Sequence, residues 1–245
     1  MKLIIAYDGA GFSGWQSQAN GDAIQNRIEA AFAQVVGQKI RVHGAGRTDA
    51  GVHALGQCAH ADVTTNLEPA TVLAALNASL PPPIRILRCR FVAPTFHARF
   101  DACGKIYRYR IATTAVLSPF ELGRAWHVSR PLDETVVRAC AQEFVGQHDF
   151  ARFAANRGRP VTSTTRTIRK VRVRRTRAQT TIEFEGDGFL YKMVRLMVGA
   201  IVRCGLGRSS LDEVRQRLRG SPSAGSERAR LVAPAAGLTL VRVLY

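Results

Sequence analysis

The first ninety residues alternate strand-length apolar runs with helix-spaced apolar stripes, and this order strongly limits the possible folds. Short apolar runs predict strands at residues 3–7, 39–43, 56–63 and 84–93. Apolar side chains spaced three and four apart predict one helix capped by Asp22 and ending at Gly37, and another over residues 67–80. The predicted order is strand, helix, strand, strand, helix, strand.

That order is the split β-α-β pattern of ferredoxin-like domains. A second round follows, with a strand at 105–112, helices at 133–145 and 189–202, a hairpin at 166–185, a helix capped by Ser210, a loop at 220–230 and a last strand at 238–244. We therefore expect an α/β (α+β) protein. It has two ferredoxin-like, RRM-like halves, residues 1–103 and 104–245, sharing a mixed, mainly antiparallel sheet with a central basic cleft.

The charge of the chain points to a polyanionic partner. Its 245 residues include 35 Lys and Arg but only 18 Asp and Glu, a net charge of +17 at pH 7. Nucleic acid is the simplest partner for such a surface, and a merely solubilising surface is the alternative. The five cysteines are scattered without a paired motif, which favours a reducing compartment and no metal site. No uncharged segment is long enough to span a membrane, so we expect a cytoplasmic protein.

Basic residues are concentrated in the second half. Lys170, Arg172 and Arg174 share one face of the strand at 166–175, where they could line a phosphate backbone or form a solvated sheet face. A second basic loop contains Arg152, Arg157 and Arg159. Tyr107 and Tyr109 stand among further cations, in a pattern that resembles surfaces that stack on RNA bases, although a place in the core is the default interpretation for either tyrosine.

The segment 44–53 has the composition of a functional loop, with three glycines, one arginine and a single acid, Asp49. It matches neither a dinucleotide fingerprint nor a phosphate-binding P-loop, and the chain has no Gly-x-Ser-x-Gly elbow. Ordinary glycoside hydrolysis uses two carboxylates. One carboxylate in a basic protein favours attack on a sugar of a nucleic acid with rearrangement rather than hydrolysis, although spacing alone does not name the reaction.

Eight motifs in a fixed order carry a resemblance to a known family: Tyr7-Asp-Gly9, Phe12-Ser-Gly-Trp-Gln16, the loop 44–53, Phe96-His-Ala-Arg-Phe100, Lys105-Ile-Tyr-Arg-Tyr109, His148-Asp-Phe150, the segment 188–195 and Gly237-Leu-Thr-Leu240. Together they resemble the bacterial tRNA pseudouridine synthase A family nearly from end to end. The stretch 152–165 departs from the family in length and composition, so no RNA contact is transferred to it.

The resemblance implies conversion of uridine to pseudouridine at positions 38, 39 and 40 of the tRNA anticodon stem-loop, by a homodimer that needs no cofactor or metal. Asp49 is then the essential carboxylate, and Arg47 contacts phosphate and helps to open the target nucleotide. Tyr107 stacks on the flipped uracil and removes the C5 proton, and Arg195 pairs with Asp49. His53 is expected only to support the loop.

Two other classes of protein remain as alternatives on sequence grounds. A non-catalytic RNA-binding protein with RRM-like sheets would use Tyr107 and Tyr109 for stacking and would have no need of Asp49. A DNA-binding or architectural protein would account for the charge but for none of the motifs.

Overall fold

The structure is a computed structural model that describes residues 1–19, 21–155, 162–220 and 232–245. Its contacts divide the chain into two compact units, Met1–Cys103 with Thr239–Tyr245, and Gly104–Leu238. Residues 239–245 were expected in the second half. These residues group with the first unit because their strand pairs in parallel with a strand of that unit.

The first unit contains five strands and two helices in the described residues. They are β1 (Lys2–Tyr7), α1 (Ile24–Val36), β2 (Val42–Gly44), β3 (His53–Ala61), α2 (Pro69–Ser79), β4 (Ile84–Arg90) and, from the end of the chain, β10 (Leu238–Leu244). The strand order β4-β1-β3-β2, all antiparallel, is that of a ferredoxin-like sheet. Strand β10 pairs in parallel with the first residues of β3, which makes the sheet mixed.

The apolar stripes predicted for the two helices form the core of this unit. Ile24, Ile28 and Phe32 of α1 are buried, as are Val72 and Leu76 of α2. The expected capping box at Asp22 is wrong, because Ala23 is the N-cap residue and no side chain caps the helix. Gln25 is occupied elsewhere: its side chain accepts from Ser17 N at 2.9 Å and donates to Val42 O at 3.1 Å.

The second unit also alternates strands with helices, and its described residues place three strands between its first and second helices. Its elements are β5 (Gly104–Ala112), β6 (Trp126–His127), α3 (Glu134–Gln142), β7 (Gly146–Asp149), β8 (Thr165–Arg175), β9 (Gln179–Gly186), α4 (Met193–Gly205) and α5 (Leu211–Leu218). The sheet order is β5-β9-β8-β7, antiparallel throughout, and the short strand β6 pairs in parallel with β5. The predicted α/β class with mainly antiparallel pairing is confirmed. The arrangement of the two halves stays a prediction.

Helix α3 packs on the sheet of the second unit, and the other two helices pack on α3. Helix α3 contacts β8 and α4, and α5 contacts α3. Arg138 Nη1 donates to Val173 O at 2.7 Å and so ties α3 to β8. The predicted cap of α5 is confirmed, since Ser210 Oγ accepts from Glu213 N at 3.2 Å. Strands β6 and β7 were not predicted, because two to four residues carry too little periodicity to be recognised.

Some expectations fall outside the described residues. Arg157 and Arg159 of the second basic loop belong to this group, as does nearly all of the loop predicted at 220–230. Within the described parts of the chain, no helix is both long and apolar enough to cross a membrane.

Candidate active site

The glycine loop connects two neighbouring antiparallel strands of the first unit. It leaves β2 at Gly44, where Ala45 N donates to Cys58 O at 2.8 Å, and it enters β3 at His53. Near its end the chain reverses, since Val52 N donates to Asp49 O at 3.1 Å and Gly51 has a φ of 76°. A positive φ at this position is the reason why the turn needs glycine. Asp49 therefore begins a tight turn.

A second segment, residues 9–15, lies with its backbone directly against the loop. Gly14 has a φ of 91°, and a Cβ there would lie 2.5 Å from Thr48 O. A Cβ on Gly9 would lie 2.0 Å from Val52 O. Trp15 N donates to Thr48 O at 3.1 Å, which fixes the register between the two segments. Two glycines thus let one backbone hold another at either side of Asp49.

Trp15 fills the space beneath the start of the loop. Its indole ring is buried and lies so close to Gly44 that a Cβ on that glycine would be 2.5 Å from the ring. The ring of Tyr7 lies 6.1 Å from that of Trp15, centroid to centroid. Gly44 is therefore required by the packing of the indole.

Buried hydrogen bonds fix which side chains of the loop point inward. The Tyr7 hydroxyl and Thr48 Oγ1 are 2.8 Å apart, and burial raises the pKa of Tyr7 far above its usual range, so the phenol stays neutral. Gln57 Nε2 donates to Gly46 O at 2.9 Å. Thr48 is buried, whereas its neighbour Arg47 is exposed and its neighbour Asp49 is half-buried.

His53 supports the base of the loop, as expected. Its imidazole is almost fully buried, and its Nδ1 lies 3.1 Å from Gly9 N and 3.0 Å from Asp8 Oδ1. The ring therefore joins the end of the loop to the segment that follows β1.

In the second unit, Tyr107 and Tyr109 lie on the face of β5 that points into the core. Tyr107 is only 8 % exposed, and its ring meets that of Phe189 edge to face at 5.0 Å. Tyr109 is fully buried and donates its hydroxyl to Pro234 O at 2.7 Å. Tyr109 has no exposed surface and its hydroxyl is already bonded, whereas Tyr107 keeps a small exposed fraction, so Tyr109 is the less suited of the two to stack on a base.

Arg195 lies in the first turn of α4. Its Nε donates to Ala233 O at 2.7 Å, and Ala233 N donates to Arg195 O at 3.1 Å. Three residues earlier, Lys192 has a φ of 59° at the N-cap; among the described residues, every other positive φ belongs to a glycine. Such strain is retained where surrounding contacts over-determine the backbone, and it commonly marks functional segments.

The face of β8 that was expected to be uniformly basic also has acidic neighbours. Lys170, Arg172 and Arg174 are exposed together, but strand β9 places Glu185 opposite Lys170 and Glu183 opposite Arg172. Glu183 bridges Arg172 at 3.2 Å and Arg108 of β5 at 3.1 Å. The alternation of Glu183 and Glu185 was visible in the sequence, but only the strand register shows that both face the cations.

The candidate residues are therefore divided between the units. Arg47 and Asp49 belong to the first unit, and the others to the second: Tyr107, Lys170, Arg172, Arg174 and Arg195.

Sequence reasoning missed Gly14, Thr48 and Gln57 as supports of the loop. The motif at 12–16 was a signal for the first, but nothing in the sequence marked the contacts of Thr48 and Gln57.

Replacing Gly14 with alanine is expected to destabilise the protein much more than replacing Gly11. Both positions have a positive φ, but a Cβ at Gly11 meets no atom within 4 Å. Gly11→Ala should therefore lose about 1 kcal/mol of unfolding free energy from strain alone. Gly14→Ala adds a collision with the Thr48 backbone and should lose about 3 kcal/mol or more. Urea denaturation of both variants measures this, and equal losses would contradict the packing described for the loop.

Comparison with known proteins identifies the family. A family model described as tRNA pseudouridine synthase matches residues 3–101 and 140–245. Three proteins named tRNA pseudouridine synthase A align with the whole chain: those of Akkermansia muciniphila (45 % identity, 94 % of that protein covered), Solidesulfovibrio magneticus (45 %, 90 %) and Methylacidiphilum infernorum (41 %, 94 %).

Among solved structures, an H/ACA ribonucleoprotein bound to a substrate RNA containing 2′-deoxyuridine aligns with 99 % of this chain and 46 % of its own. The TM-score of 0.35 and the identity of 12 % are too low to add to the assignment. The match of the family model and the full-length relatives carry it: the chain belongs to the tRNA pseudouridine synthase family, and it is an isomerase that acts on tRNA.

Proposed function

We propose that this enzyme converts uridine to pseudouridine at positions 38, 39 and 40 of the tRNA anticodon stem-loop, with Asp49 as its essential carboxylate. The observation that carries the proposal is the support of the loop. Gly14 and Trp15 contact the backbone of Thr48 and the Tyr7 hydroxyl meets the Thr48 side chain, so the residue next to Asp49 is fixed, and Asp49 itself is half-buried.

The isomerisation consumes no water and no cofactor. The bond from N1 of uracil to C1′ breaks, the base turns, a bond from C5 to C1′ forms, and the proton leaves C5 while N1 gains one. Asp49 either adds to C1′ or removes a sugar proton to give a glycal, and both routes require an ionised carboxylate at the ribose. A second acid to activate water, as glycoside hydrolysis requires, has no part in this reaction.

Arg47 is proposed to bind a phosphate beside the target nucleotide. It is exposed and lies two residues before Asp49 in the supported loop. A base must leave its stack before its glycosidic bond can be reached, and a cation on the adjacent phosphate stabilises the flipped nucleotide. The same loop then holds both the phosphate and the sugar.

Tyr107 and Arg195 are proposed to complete the site. Tyr107 would stack on the flipped uracil and take the C5 proton, and Arg195 would pair with Asp49 and keep it ionised. Each residue is held by its own unit: Tyr107 packs against Phe189, and Arg195 binds Ala233. The pairing of Arg195 with Asp49 joins one residue from each unit and stays a prediction.

We also propose that the enzyme is a cytoplasmic homodimer. In the described part of the chain none of its five cysteines is placed in a disulfide, as in a reducing compartment. Three large apolar side chains on the loop before β6 are exposed, which is typical of a protein contact surface: Val116, Phe120 and Leu122. Sedimentation equilibrium should give the mass of two chains, and the mass of one chain would contradict the dimer.

Asp49→Asn is expected to reduce isomerisation by about a thousandfold or more, because an amide neither adds to the ribose nor accepts its proton. The dissociation constant for tRNA should change by less than about threefold, since other residues supply the phosphate contacts. Release of tritium from tRNA transcripts carrying 5-tritiated uridine measures turnover, and filter binding measures affinity.

The matched control is Asp62→Asn, which neutralises an exposed acid that lies outside the loop in the same unit. It should retain full turnover. Substantial tritium release by Asp49→Asn would remove Asp49 from the mechanism.

Tyr107→Phe is expected to bind tRNA normally and to stall before product forms, because the ring can still stack but no hydroxyl accepts the C5 proton. Tyr109→Phe is the control two residues along the same face of β5. It loses the hydrogen bond to Pro234 O, which costs about 1 kcal/mol of unfolding free energy, but it should keep its turnover. Normal pseudouridine formation by Tyr107→Phe, measured by nucleoside chromatography, would exclude Tyr107 as the base.

Neutralising Lys170, Arg172 and Arg174 together with glutamine is expected to flatten the salt dependence of tRNA binding. Each lost phosphate contact lowers the slope of log K against log salt by roughly 0.7 to 0.9. The slope is expected to fall by about 2. The fall is at the lower end for three contacts because the charge of Arg172 is already partly neutralised by Glu183, which also bridges Arg108.

The control removes the same charge by changing Arg215, Arg217 and Arg219, which lie in α5 or directly after it, to glutamine. Helix α5 packs on α3 and is not part of the sheet. An equal loss of slope in both triple variants would mean that total charge, and not the face of β8, governs binding.

A further inference from the structure

Four aromatic rings of the first unit form a continuous column that the mechanism does not use. The rings of His43 and His60 stack at 5.0 Å with 22° between their planes, and His97 lies 4.5 Å from His60. Phe100 stacks on His97 at 4.1 Å and 28°. The column runs from the strand pair β2 and β3 to the turn at 97–101, and Phe100 is its outer end.

The turn that carries Phe100 is closed by its own hydrogen bonds. The Nδ1 atom of His97 accepts from Arg99 N and from Phe100 N, both at 3.2 Å. His97 N donates to Asp101 Oδ2 at 3.0 Å, and Asp101 N donates back to His97 O at 3.1 Å. The position of the Phe100 ring is thus fixed by backbone contacts as well as by stacking.

The same turn is anchored to the sheet below it. Ala98 N donates to His60 Nδ1 at 3.1 Å, and the Tyr245 hydroxyl donates to Ala98 O at 2.6 Å. Burial, together with the neighbouring imidazoles of His97 and His43, lowers the pKa of His60, so its ring stays neutral and keeps the lone pair that Ala98 needs. The column is therefore a rigid support rather than a flexible surface loop.

Phe100 is 75 % exposed although it is held in this way. One face of its ring is covered by His97, so the exposed area belongs to the opposite face and the edge. A fixed aromatic face that is open to solvent matches the platforms on which proteins stack unpaired bases.

Arg99 lies over the platform, and further cations are found on the sheet of the same unit. The guanidinium carbon of Arg99 lies 5.8 Å from the centre of the Phe100 ring. On the sheet, Arg88 and Arg90 are exposed and share a face with Lys2, whose register partner in β3 is His60. Aromatic stacking combined with arginine is the usual chemistry of single-stranded RNA recognition.

From these contacts we propose that Phe100 and Arg99 form a second nucleotide-binding site, in which an unpaired base of the tRNA stacks on the open face of Phe100 and its phosphate binds Arg99. This proposal rests on the proposed function, because it takes the RNA substrate as the occupant. Seven residues of β3 separate His53, at the end of the Asp49 loop, from His60, a distance of about 23 Å. The proposal places at Phe100 a base different from the uracil that reacts.

Phe100→Leu tests the site, because leucine keeps the apolar character but has no ring face. We expect its dissociation constant for an unmodified tRNA transcript to rise by about fivefold to a hundredfold, the range for loss of one stacked base. The KM should rise in parallel, and kcat at saturating tRNA should stay the same. Phe100→Trp should bind as the wild type does, and the fluorescence of the new indole should be quenched when tRNA is added.

The control is Phe91→Leu, since Phe91 is another exposed phenylalanine of this unit, and it should bind tRNA with unchanged affinity. Arg99→Gln, which leaves the ring column intact, should weaken binding as well and make it less dependent on salt. It gives an answer even if Phe100→Leu folds poorly.

Unchanged affinity in Phe100→Leu and in Arg99→Gln would overturn the proposal. A shift of Phe100→Leu from dimer to monomer with unchanged affinity for tRNA would also overturn it, because the occupant would then be a second copy of the chain. If the wild type makes no pseudouridine but still binds tRNA through Phe100, the proposed function fails and the binding site stands.

Discussion

The close approach of two backbones at Gly14 and Thr48 is the contact on which the candidate site depends. It exists only because residue 14 has no Cβ and can adopt a φ of 91°. Trp15 N then reaches Thr48 O, and the indole of Trp15 fills the space against Gly44. The stretch 44–52 is thus held at its start by Trp15 against Gly44, in its middle by Gly14 against Thr48, and at its end by Gly9 against Val52. A carboxylate on such a loop is positioned before substrate arrives, and this is how an enzyme avoids the cost of ordering its catalytic group during the reaction.

Much of the fold was predictable because long elements carry strong periodicity. The stripe of Ile24, Ile28 and Phe32 predicted α1, and the pattern around Ser210 predicted the start of α5. Asp22 failed as a cap even though its spacing was right, since local spacing does not reveal whether the chain enters the helix at that residue. The short strands β6 and β7 owe their existence to pairing with β5 and β8, which is information that a local pattern does not contain.

The candidate site was predictable to a smaller extent. The motif around Asp49 identified the loop and the resemblance identified its reaction, but the supports of the loop come from distant parts of the chain: Tyr7, Gly14 and Gln57. Strand β8 shows the same limit in electrostatics, because its cations were counted without the carboxylates that β9 places beside them. Tyr107 and Tyr109 look alike in sequence, and only their burial and partners separate a candidate stacking residue from one that packs against Pro234 and Gly237.

The central claim is that this chain rearranges the glycosidic bond of uridine in tRNA and does not hydrolyse it. The most direct measurement is to incubate the wild-type protein with a tRNA transcript carrying 5-tritiated uridine at positions 38, 39 and 40. Tritium in water and the mass of the purified tRNA are then followed together. The account predicts one tritium released for each pseudouridine formed, with no loss of uracil from the RNA. Free uracil with abasic sites, or tRNA binding with no tritium release at all, would contradict it.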